Sequence, residues 1–282
     1  MNSNSIIVLG GPDSGKTNYI GRLWLSLDSQ QNALVAKDVA PNLDYVIDTA
    51  EHLCAGNFAP RSEHSDARRD FEVVVHEANG SSSATIVIPD ISGELWRVAV
   101  DTGELDSSWM ETLENASGAL LFVRFGSKKN VGAMNWVTHA ALMAKRRRQG
   151  PSGTPTQVML CELFRFLELK LRTRVDGSPP RVALVVAAWD LVDKETFDAG
   201  PEKYLAKEFP LIAGKLLDTR LDVRVFGVSV VGGDLQDDAE YRHRFLDGSI
   251  HDHGWVALKN PSNSQWSKVS DLTLPVAWVV GL

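Results

Sequence analysis

The sequence predicts an α/β fold, in which a mostly parallel sheet carries helices on both faces and includes one antiparallel hairpin strand. Several short apolar runs are continuous rather than alternating, which is typical of strands that are covered on both faces. Segments with apolar residues at helical intervals fall between these runs, and this alternation predicts a doubly wound sheet. The continuous runs are residues 6–9, 119–123, 182–187 and 223–228.

Two further apolar runs, 71–76 and 84–88, predict the hairpin. Asn79 and Gly80 lie between them and form a pair that is typical of a tight turn. Helices are predicted where apolar residues recur every three or four positions. The predicted helices are 16–27, 42–55, 109–115, 156–172 and 201–217.

The length of the chain predicts a single elaborated domain over residues 1–282, which is ample to bury a substantial core. The segment 126–181 is long for one connection, so we expect it to be a helical insertion. Residues 233–282 follow the last clear strand and are expected to form a C-terminal extension.

Charge and composition exclude several classes of protein. The net charge of −7 argues against a general electrostatic grip on nucleic acid. The N-terminus is polar for five residues and then enters a strand, and the apolar run 274–282 is far shorter than the roughly 20 residues of a membrane span. Cys54 and Cys161 form neither a zinc spacing nor a disulfide framework. We therefore expect a cytoplasmic protein with no membrane span and no nucleic-acid partner.

The segment GGPDSGKT, residues 10–17, matches the pattern G-x-x-x-x-G-K-S/T between a predicted strand and a predicted helix. Gly10 and Gly15 allow close approaches that a Cβ would block, so that successive N–H groups can converge on phosphates. Lys16 is expected to reach the outer phosphates, and Thr17 to ligate Mg²⁺. The alternative is a glycine-rich turn without a ligand. The further nucleotide contacts predicted in this loop are Asp13, Ser14 and Asn18.

The end of the predicted hairpin, TIVIPDISGE, carries a second candidate motif. Asp90 leaves an apolar strand, and a carboxylate there can hold Mg²⁺ through water. Gly93 can offer its N–H to a terminal phosphate and swing when that phosphate leaves. Because aspartate and glycine are common turn residues, an ordinary strand-to-helix turn is the alternative.

Two later strands end in residues that suit a purine base. Asp190 can accept two hydrogen bonds from the N1–H and the exocyclic amine of guanine, a donor pair that adenine lacks. The alternative is an aspartate that caps a helix or a turn. Ser229 ends the next strand, where backbone N–H groups could touch the base.

In this order, and each at a strand end, GGPDSGKT, DISG, AAWD and GVSVV resemble the motifs of Ras-like GTPases of the translation-factor-related class. More narrowly, GPDSGKT, AWDLVD, VSVVGGD and LTLPVAWVV look like bacterial double-GTPase domains, which gene neighbourhood links to conflict and defence systems. The resemblance implies a three-layer P-loop NTPase sandwich that binds GTP or GDP with Mg²⁺. It also implies a nucleotide switch with protein partners in the same system.

The sequence departs from the family pattern at several positions. The base-recognition motif N-K-x-D reads AAWD at 187–190, so the lysine that normally lies along the base and braces the phosphate loop is absent. Trp189 has no role that the sequence explains, and Val231 replaces the lysine of S-A-K. Glu94 stands where a glutamine often orients the attacking water, which predicts slow hydrolysis. An arginine supplied in trans or by Arg97 or Arg124 would then matter, and the alternative is that each of these two is an ordinary surface or structural arginine.

The first switch should present a hydroxyl to Mg²⁺ from the segment between the first helix and the hairpin. In NFAPRSEHSDARRD, Ser62 is the first choice and Ser65 the second. The candidate catalytic residues are therefore Lys16, Gly93 and Glu94, and the candidate metal ligands are Thr17, Asp90 and Ser62. The functions that compete with a slow Mg²⁺-dependent GTPase are a catalytically silent nucleotide-binding scaffold and an ATP-using P-loop protein.

Overall fold

A computed structural model describes residues 3–37, 43–60, 70–78, 80, 83–89, 93–132 and 154–281. Its strands are β1 (Ser3–Gly10), β2 (Leu34–Ala36), β3 (Asp70–Glu77), β4 (Ser83–Pro89), β5 (Gly118–Arg124), β6 (Arg181–Ala187), β7 (Asp222–Ser229), β8 (Trp255–Lys259) and β9 (Trp266–Val269). Its helices are α1 (Lys16–Asp28), α2 (Asp44–Cys54), α3 (Gly93–Thr102), α4 (Ser107–Asn115), α5 (Thr156–Lys170), α6 (Lys194–Ala199), α7 (Pro201–Glu208), α8 (Pro210–Leu217), α9 (Ala239–Asp247) and α10 (Leu274–Val280).

The strands in these ranges form one sheet in the order β2-β3-β4-β1-β5-β6-β7-β8-β9. The five central strands, β4 to β7 in that order, pair in parallel, which confirms the predicted mostly parallel sheet. Antiparallel strands flank this centre on both sides, with β3 and β2 at one edge and β8 and β9 at the other. One antiparallel hairpin strand was predicted, but β2, β8 and β9 of the described residues are also antiparallel. These strands were missed because they are short and carry little sequence signal.

The continuous apolar runs are buried on both faces of the sheet, as predicted, except at the start of 223–228, where Val223 is half-buried and Arg224 is exposed. Ile6 and Val8 of β1 belong to one core cluster, and Ile7 and Leu9 belong to the other. Helices α1, α2 and α10 cover the first cluster, whereas α3, α4, α5, α7 and α8 cover the second. The sheet is thus the middle of three layers, and its parallel centre is shielded from water.

The predicted helices have counterparts, with one correction. The segment 201–217 forms two helices, because Phe209 interrupts it with φ −132° and ψ 59°. The ring of Pro210 excludes helical backbone from the residue before it, so α8 starts afresh at the proline. Helices α3, α6, α9 and α10 were not predicted.

Two regions were expected to elaborate the core of the fold. Helix α5 lies within the predicted insertion 126–181, and residues 133–153 lie outside the described part of the chain. The predicted extension 233–282 holds α9, β8, β9 and α10, and β8 pairs with β7 of the parallel centre. In the described ranges, none of the helices combines the length and the apolar character that crossing a membrane requires.

Candidate functional site

The carboxyl ends of the five parallel strands meet at one edge of the sheet, where ligands of α/β proteins usually bind. Gly10 ends β1, Arg124 ends β5 and Ser229 ends β7. Asp190 lies three residues after β6, and Gly93 lies four residues after β4. The fold therefore brings residues from distant parts of the sequence to a single edge.

Two glycines shape the loop between β1 and α1. Gly10 has φ 144° and Gly15 has φ 94°, in the region that favours glycine. A Cβ on Gly10 would lie 2.6 Å from the carbonyl oxygen of Phe122, and one on Gly15 would lie 3.1 Å from Cβ of Ala187. Both positions thus require glycine for conformation, and Gly10 also requires it for space.

The ammonium group of Lys16 lies over this loop. It donates to the carbonyl oxygens of Gly10 at 2.8 Å and Gly11 at 3.1 Å, and to Oγ of Ser14 at 3.2 Å. Because the ammonium group already donates hydrogen bonds to oxygens of the loop, it can donate to phosphate oxygens instead without a large movement. The cradle and the lysine therefore fit a polyphosphate, and Thr17 follows in the first turn of α1.

Asn18 connects α1 to the beginning of the segment that is predicted to form the first switch. Its Oδ1 accepts a hydrogen bond from the N–H of Ala59 at 2.9 Å.

The two serines proposed for that switch, Ser62 and Ser65, lie outside the described residues, as does Asp90. Of the three candidate metal ligands, only Thr17 therefore has a described position. Within the described ranges, no group of three or more His, Cys, Asp and Glu side chains could hold a metal.

Asp13 adds a negative charge to the loop, and that charge is paired. Its backbone is left-handed, with φ 61°. Arg124 Nη1 lies 2.8 Å from Oδ1 of Asp13, and Oγ of Ser127 donates to Oδ2 at 2.9 Å. The guanidinium of Arg124, which the sequence offered as a rate-enhancing arginine, is thus engaged by the phosphate loop itself.

Gly93 lies directly against the phosphate loop. A Cβ at this position would be 2.5 Å from the carbonyl carbon and oxygen of Gly11 and from the nitrogen of Pro12. Only glycine allows the start of α3 to approach the loop so closely, and Glu94 follows as a half-buried residue. Arg97, one turn further along, is exposed and lines a cavity of about 40 Å³ with Pro12, Asp13 and Arg124.

Asp190 and Ser229 meet at the other end of the site. The hydroxyl of Ser229 donates to the carboxylate of Asp190, and its oxygen accepts from the N–H of Gly232 at 2.7 Å. Burial raises the pKa of Asp190, Asp234 adds to this rise, and Ser229 and Arg124 oppose it. Through these two hydrogen bonds the fully buried side chain of Ser229 connects Asp190 to the loop after β7.

Trp189, whose role the sequence did not explain, anchors the loop that carries Asp190. Its fully buried ring packs edge-on against Phe125 and Tyr204, with centroid distances of 6.3 and 5.5 Å. Gly227 of β7 makes room for it, because a Cβ there would lie 2.5 Å from Cδ1 of the indole. Trp189 is therefore a packing residue that fixes the position of its neighbour Asp190.

Sequence reasoning missed Tyr241 of α9. Its hydroxyl donates to the carbonyl oxygen of Val231 at 2.7 Å, and its ring fills the space beside Gly233, where a Cβ would lie 2.7 to 2.8 Å from it. Burial raises the pKa of Tyr241, and the charge of Asp190 raises it further. The adjacent glycines 232 and 233 were the available signal, since they indicate that another group comes close.

A phosphate loop between the first strand and the first helix of a parallel sheet defines a P-loop nucleotide-binding protein. The family model described as Double-GTPase 1 matches residues 7–279, and the chain belongs to that family. Family membership supports GTP binding and confirms the resemblance to GTPases that the sequence motifs indicated. A search of curated proteins found no match.

Three solved structures show how far the similarity extends. A chain of the signal recognition particle receptor SRb-GTP/SRX complex from Chaetomium thermophilum is 14% identical, with 87% of this chain and 98% of that chain covered at a TM-score of 0.38. Bacterial elongation factor EF-Sec is 14% identical, with 95% and 34% covered at 0.37. The S. cerevisiae Ski7 GTPase-like domain, bound to GTP, is 12% identical, with 81% and 43% covered at 0.43. The matched region thus spans about a third of the elongation factor and less than half of the Ski7 chain.

Proposed function

We propose that this chain is a nucleotide switch that binds GTP or GDP with Mg²⁺ and hydrolyses GTP slowly. The observation that carries the proposal is the contact between the phosphate loop and the start of α3. There Lys16 holds the oxygens of Gly10 and Gly11, while Gly93 packs against the same Gly11. A group that senses the terminal phosphate has to lie at this place.

Recognition of guanine is assigned to Asp190. An ionised carboxylate offers acceptors to both the N1–H and the exocyclic amine of guanine, whereas adenine presents no such donor pair. Ser229 and the packed ring of Trp189 hold Asp190 in place. The sequence predicted that the backbone near Ser229 contacts the base. We propose in addition that the Ser229 side chain supports the carboxylate of Asp190, which accepts hydrogen bonds from the base.

The phosphates would lie on the loop N–H groups of residues 13–18, with Lys16 at the outer phosphates. Thr17 is the proposed metal ligand at the start of α1, and Asp90 and Ser62 are proposed to complete the site. When bound, Mg²⁺ neutralises charge on the phosphate oxygens. Glu94 would face this anionic group with a further negative charge, which is the physical reason to expect slow hydrolysis.

The switch itself would use two connections. Gly93 links the phosphate loop to α3, and Asn18 links α1 to Ala59 near the beginning of the predicted first-switch segment. Loss of the terminal phosphate would release both segments, as in other proteins in which a γ-phosphate orders the switch loops. We further propose that residues 1–282 act as one domain, in the cytoplasm, with protein partners in a larger system such as bacterial defence.

Competition calorimetry with GTP and ATP in the presence of Mg²⁺ tests this function. We expect a preference for GTP of at least about 100-fold, because the wrong base leaves a buried polar group unpaired. Lys16→Ala should abolish binding and leave the fold intact, and Asp190→Asn should remove the preference. Lys170→Ala is the matched control, since it also removes a lysine that makes polar contacts. Lys170 pairs with Glu114 at the far end of α5, about 20 Å along that helix from Thr156, which lines the cavity beside the phosphate loop.

A catalytically silent nucleotide-binding scaffold is the second candidate. Ala188 and Val231 in place of two lysines, together with Glu94, favour it. Steady phosphate release above the level of Lys16→Ala would exclude it, and tight GTP binding without release would support it. ATP binding as tight as GTP binding would instead support an ATP-using P-loop protein and exclude guanine recognition by Asp190.

A further inference from the structure

The missing lysine of the base-recognition motif leaves the phosphate loop without a brace from that side. Ala188 occupies the position, and its backbone is left-handed, with φ 56°. A methyl group cannot reach across to the loop or neutralise a charge there. The loop nevertheless carries the carboxylate of Asp13, which would repel a polyphosphate if it were unpaired.

The end of β5 provides the missing cation, and the turn that follows it adds a hydroxyl group. Arg124 and Ser127 together engage both carboxylate oxygens of Asp13, at 2.8 and 2.9 Å. The side chains of Arg124 and Asp13 are only 28% and 29% exposed, so their interaction is less screened than that of a surface ion pair. The contact is therefore a fixed part of the loop.

This turn is also tied to the base-reading side of the site. The N–H of Phe125 donates to the carbonyl oxygen of Ala187 at 2.9 Å, and Nδ2 of Asn130 donates to the carbonyl oxygen of Arg124 at 3.3 Å. The positive charge of Arg124 favours the ionised form of Asp190. The guanidinium of Arg124 thus contacts Asp13 of the phosphate loop, and its charge also acts on Asp190, the group assigned to guanine.

We propose that Arg124 is the positioning residue that braces the phosphate loop in this chain, by neutralising Asp13, in place of the lysine absent at position 188. The inference rests on the proposed nucleotide-binding function and adds a residue to it. Arg124 touches the loop rather than the reacting phosphate. Its effect is therefore expected in nucleotide affinity and dissociation.

The test is a double-mutant cycle on the full chain, read out as the dissociation rate of fluorescently labelled GDP in Mg²⁺. Arg124→Ala should accelerate dissociation by at least about 10-fold, because it leaves the carboxylate of Asp13 beside the phosphates without its partner. Asp13→Asn removes that charge, so adding Arg124→Ala to it should change the rate by less than about 2-fold. Arg124→Lys, which keeps the charge but not the fork geometry, should restore part of the slow dissociation.

A control separates this role from general stability. Arg165→Ala breaks an exposed ion pair with Glu162 on α5 and should leave the dissociation rate unchanged. The thermal midpoints of all nucleotide-free variants are measured alongside, since a purely structural role would lower the midpoint of nucleotide-free Arg124→Ala, whereas a role in holding nucleotide changes the dissociation rate.

Three results would contradict the inference, and they differ in whether they also contradict the proposed function. An unchanged rate in Arg124→Ala, or an equal acceleration in the wild-type and Asp13→Asn backgrounds, contradicts the inference alone while guanine-nucleotide binding stands. If the wild-type chain binds no guanine nucleotide in the calorimetry above, the proposed function and this inference fail together.

Discussion

Asp190 is the residue at which local electrostatics most directly affects the proposed activity. Burial raises the pKa of its carboxyl above the ordinary value, and Asp234 strengthens that effect against the opposing Ser229 and Arg124. Only the ionised form accepts both hydrogen bonds from guanine. Binding therefore has to drive off a proton whenever the pH lies below the raised pKa.

The resulting prediction is that GTP affinity falls as the pH is lowered through the raised pKa of Asp190, at a higher pH than for an unperturbed aspartate. Calorimetry over a pH series measures it. Asp234→Asn removes a neighbouring negative charge, so it should lower the pKa of Asp190 and move the loss of affinity to lower pH. Asp190→Asn should abolish this component, and an unaltered profile in that variant would contradict the assignment.

At the same scale, the sequence indicated some candidate site residues and gave no sign of others. The phosphate-loop positions could be predicted because Gly10, Gly15 and Lys16 act within one short segment that has a known spacing. The position of Trp189 depends on Gly227 of β7 and Tyr204 of α7, which are distant in the sequence. The partner of Asp13 was likewise hidden, because only the parallel pairing of β1 with β5 brings Arg124 beside it.

Among the elements, helix α1 connects the phosphate loop to the C-terminal extension through Arg22. This side chain is 1% exposed and donates to Oγ of Ser26 at 3.0 Å, to the carbonyl oxygen of Ile250 at 2.9 Å and to that of His253 at 2.8 Å. Burial lowers its pKa to about 10, so it stays charged at neutral pH. The extension is thus held by a buried cation rather than by apolar contacts alone.

We predict that Arg22→Ala lowers the free energy of unfolding by about 3 kcal/mol, because a buried side chain is lost and two partly buried carbonyl groups lose charged hydrogen bonds. Urea denaturation at neutral pH measures the change. Arg165→Ala is the matched control, and its exposed pair with Glu162 predicts a change of no more than about 1 kcal/mol. Equal, small changes in both variants would show that Arg22 does not anchor the extension.

The elements themselves were predictable to different degrees for physical reasons. The strands β1, β5, β6 and β7 could be predicted because burial on both faces requires apolar residues along most of each strand. By contrast, β2 and β9 have three and four residues, too few for a period to emerge. The division of 201–217 into α7 and α8 could have been read from Pro210, which disfavours helical backbone in the residue before it.

At the level of the whole molecule, the C-terminal extension shares its core with the beginning of the chain. Val276 and Val279 of α10 belong to the same buried cluster as Ile6 of β1 and Leu23 of α1. Gly118 of β5 is shaped for this contact, because a Cβ there would lie 2.4 Å from Cγ1 of Val279. Residues more than 250 positions apart in the sequence therefore stabilise one another.

This shared core predicts that residues 1–282 unfold in a single cooperative transition, as expected of one domain. In urea, the far-ultraviolet circular dichroism and the tryptophan fluorescence should give the same midpoint. GDP with Mg²⁺ at 100 times its dissociation constant should raise the free energy of unfolding by about 2.7 kcal/mol and should move both midpoints to the same higher urea concentration. A chain ending at residue 232 should show no sharp transition, because removing α10 exposes the face of the sheet that α1 also covers. Two separate midpoints, or a truncated chain that still unfolds sharply, would mean that the extension is an independent unit.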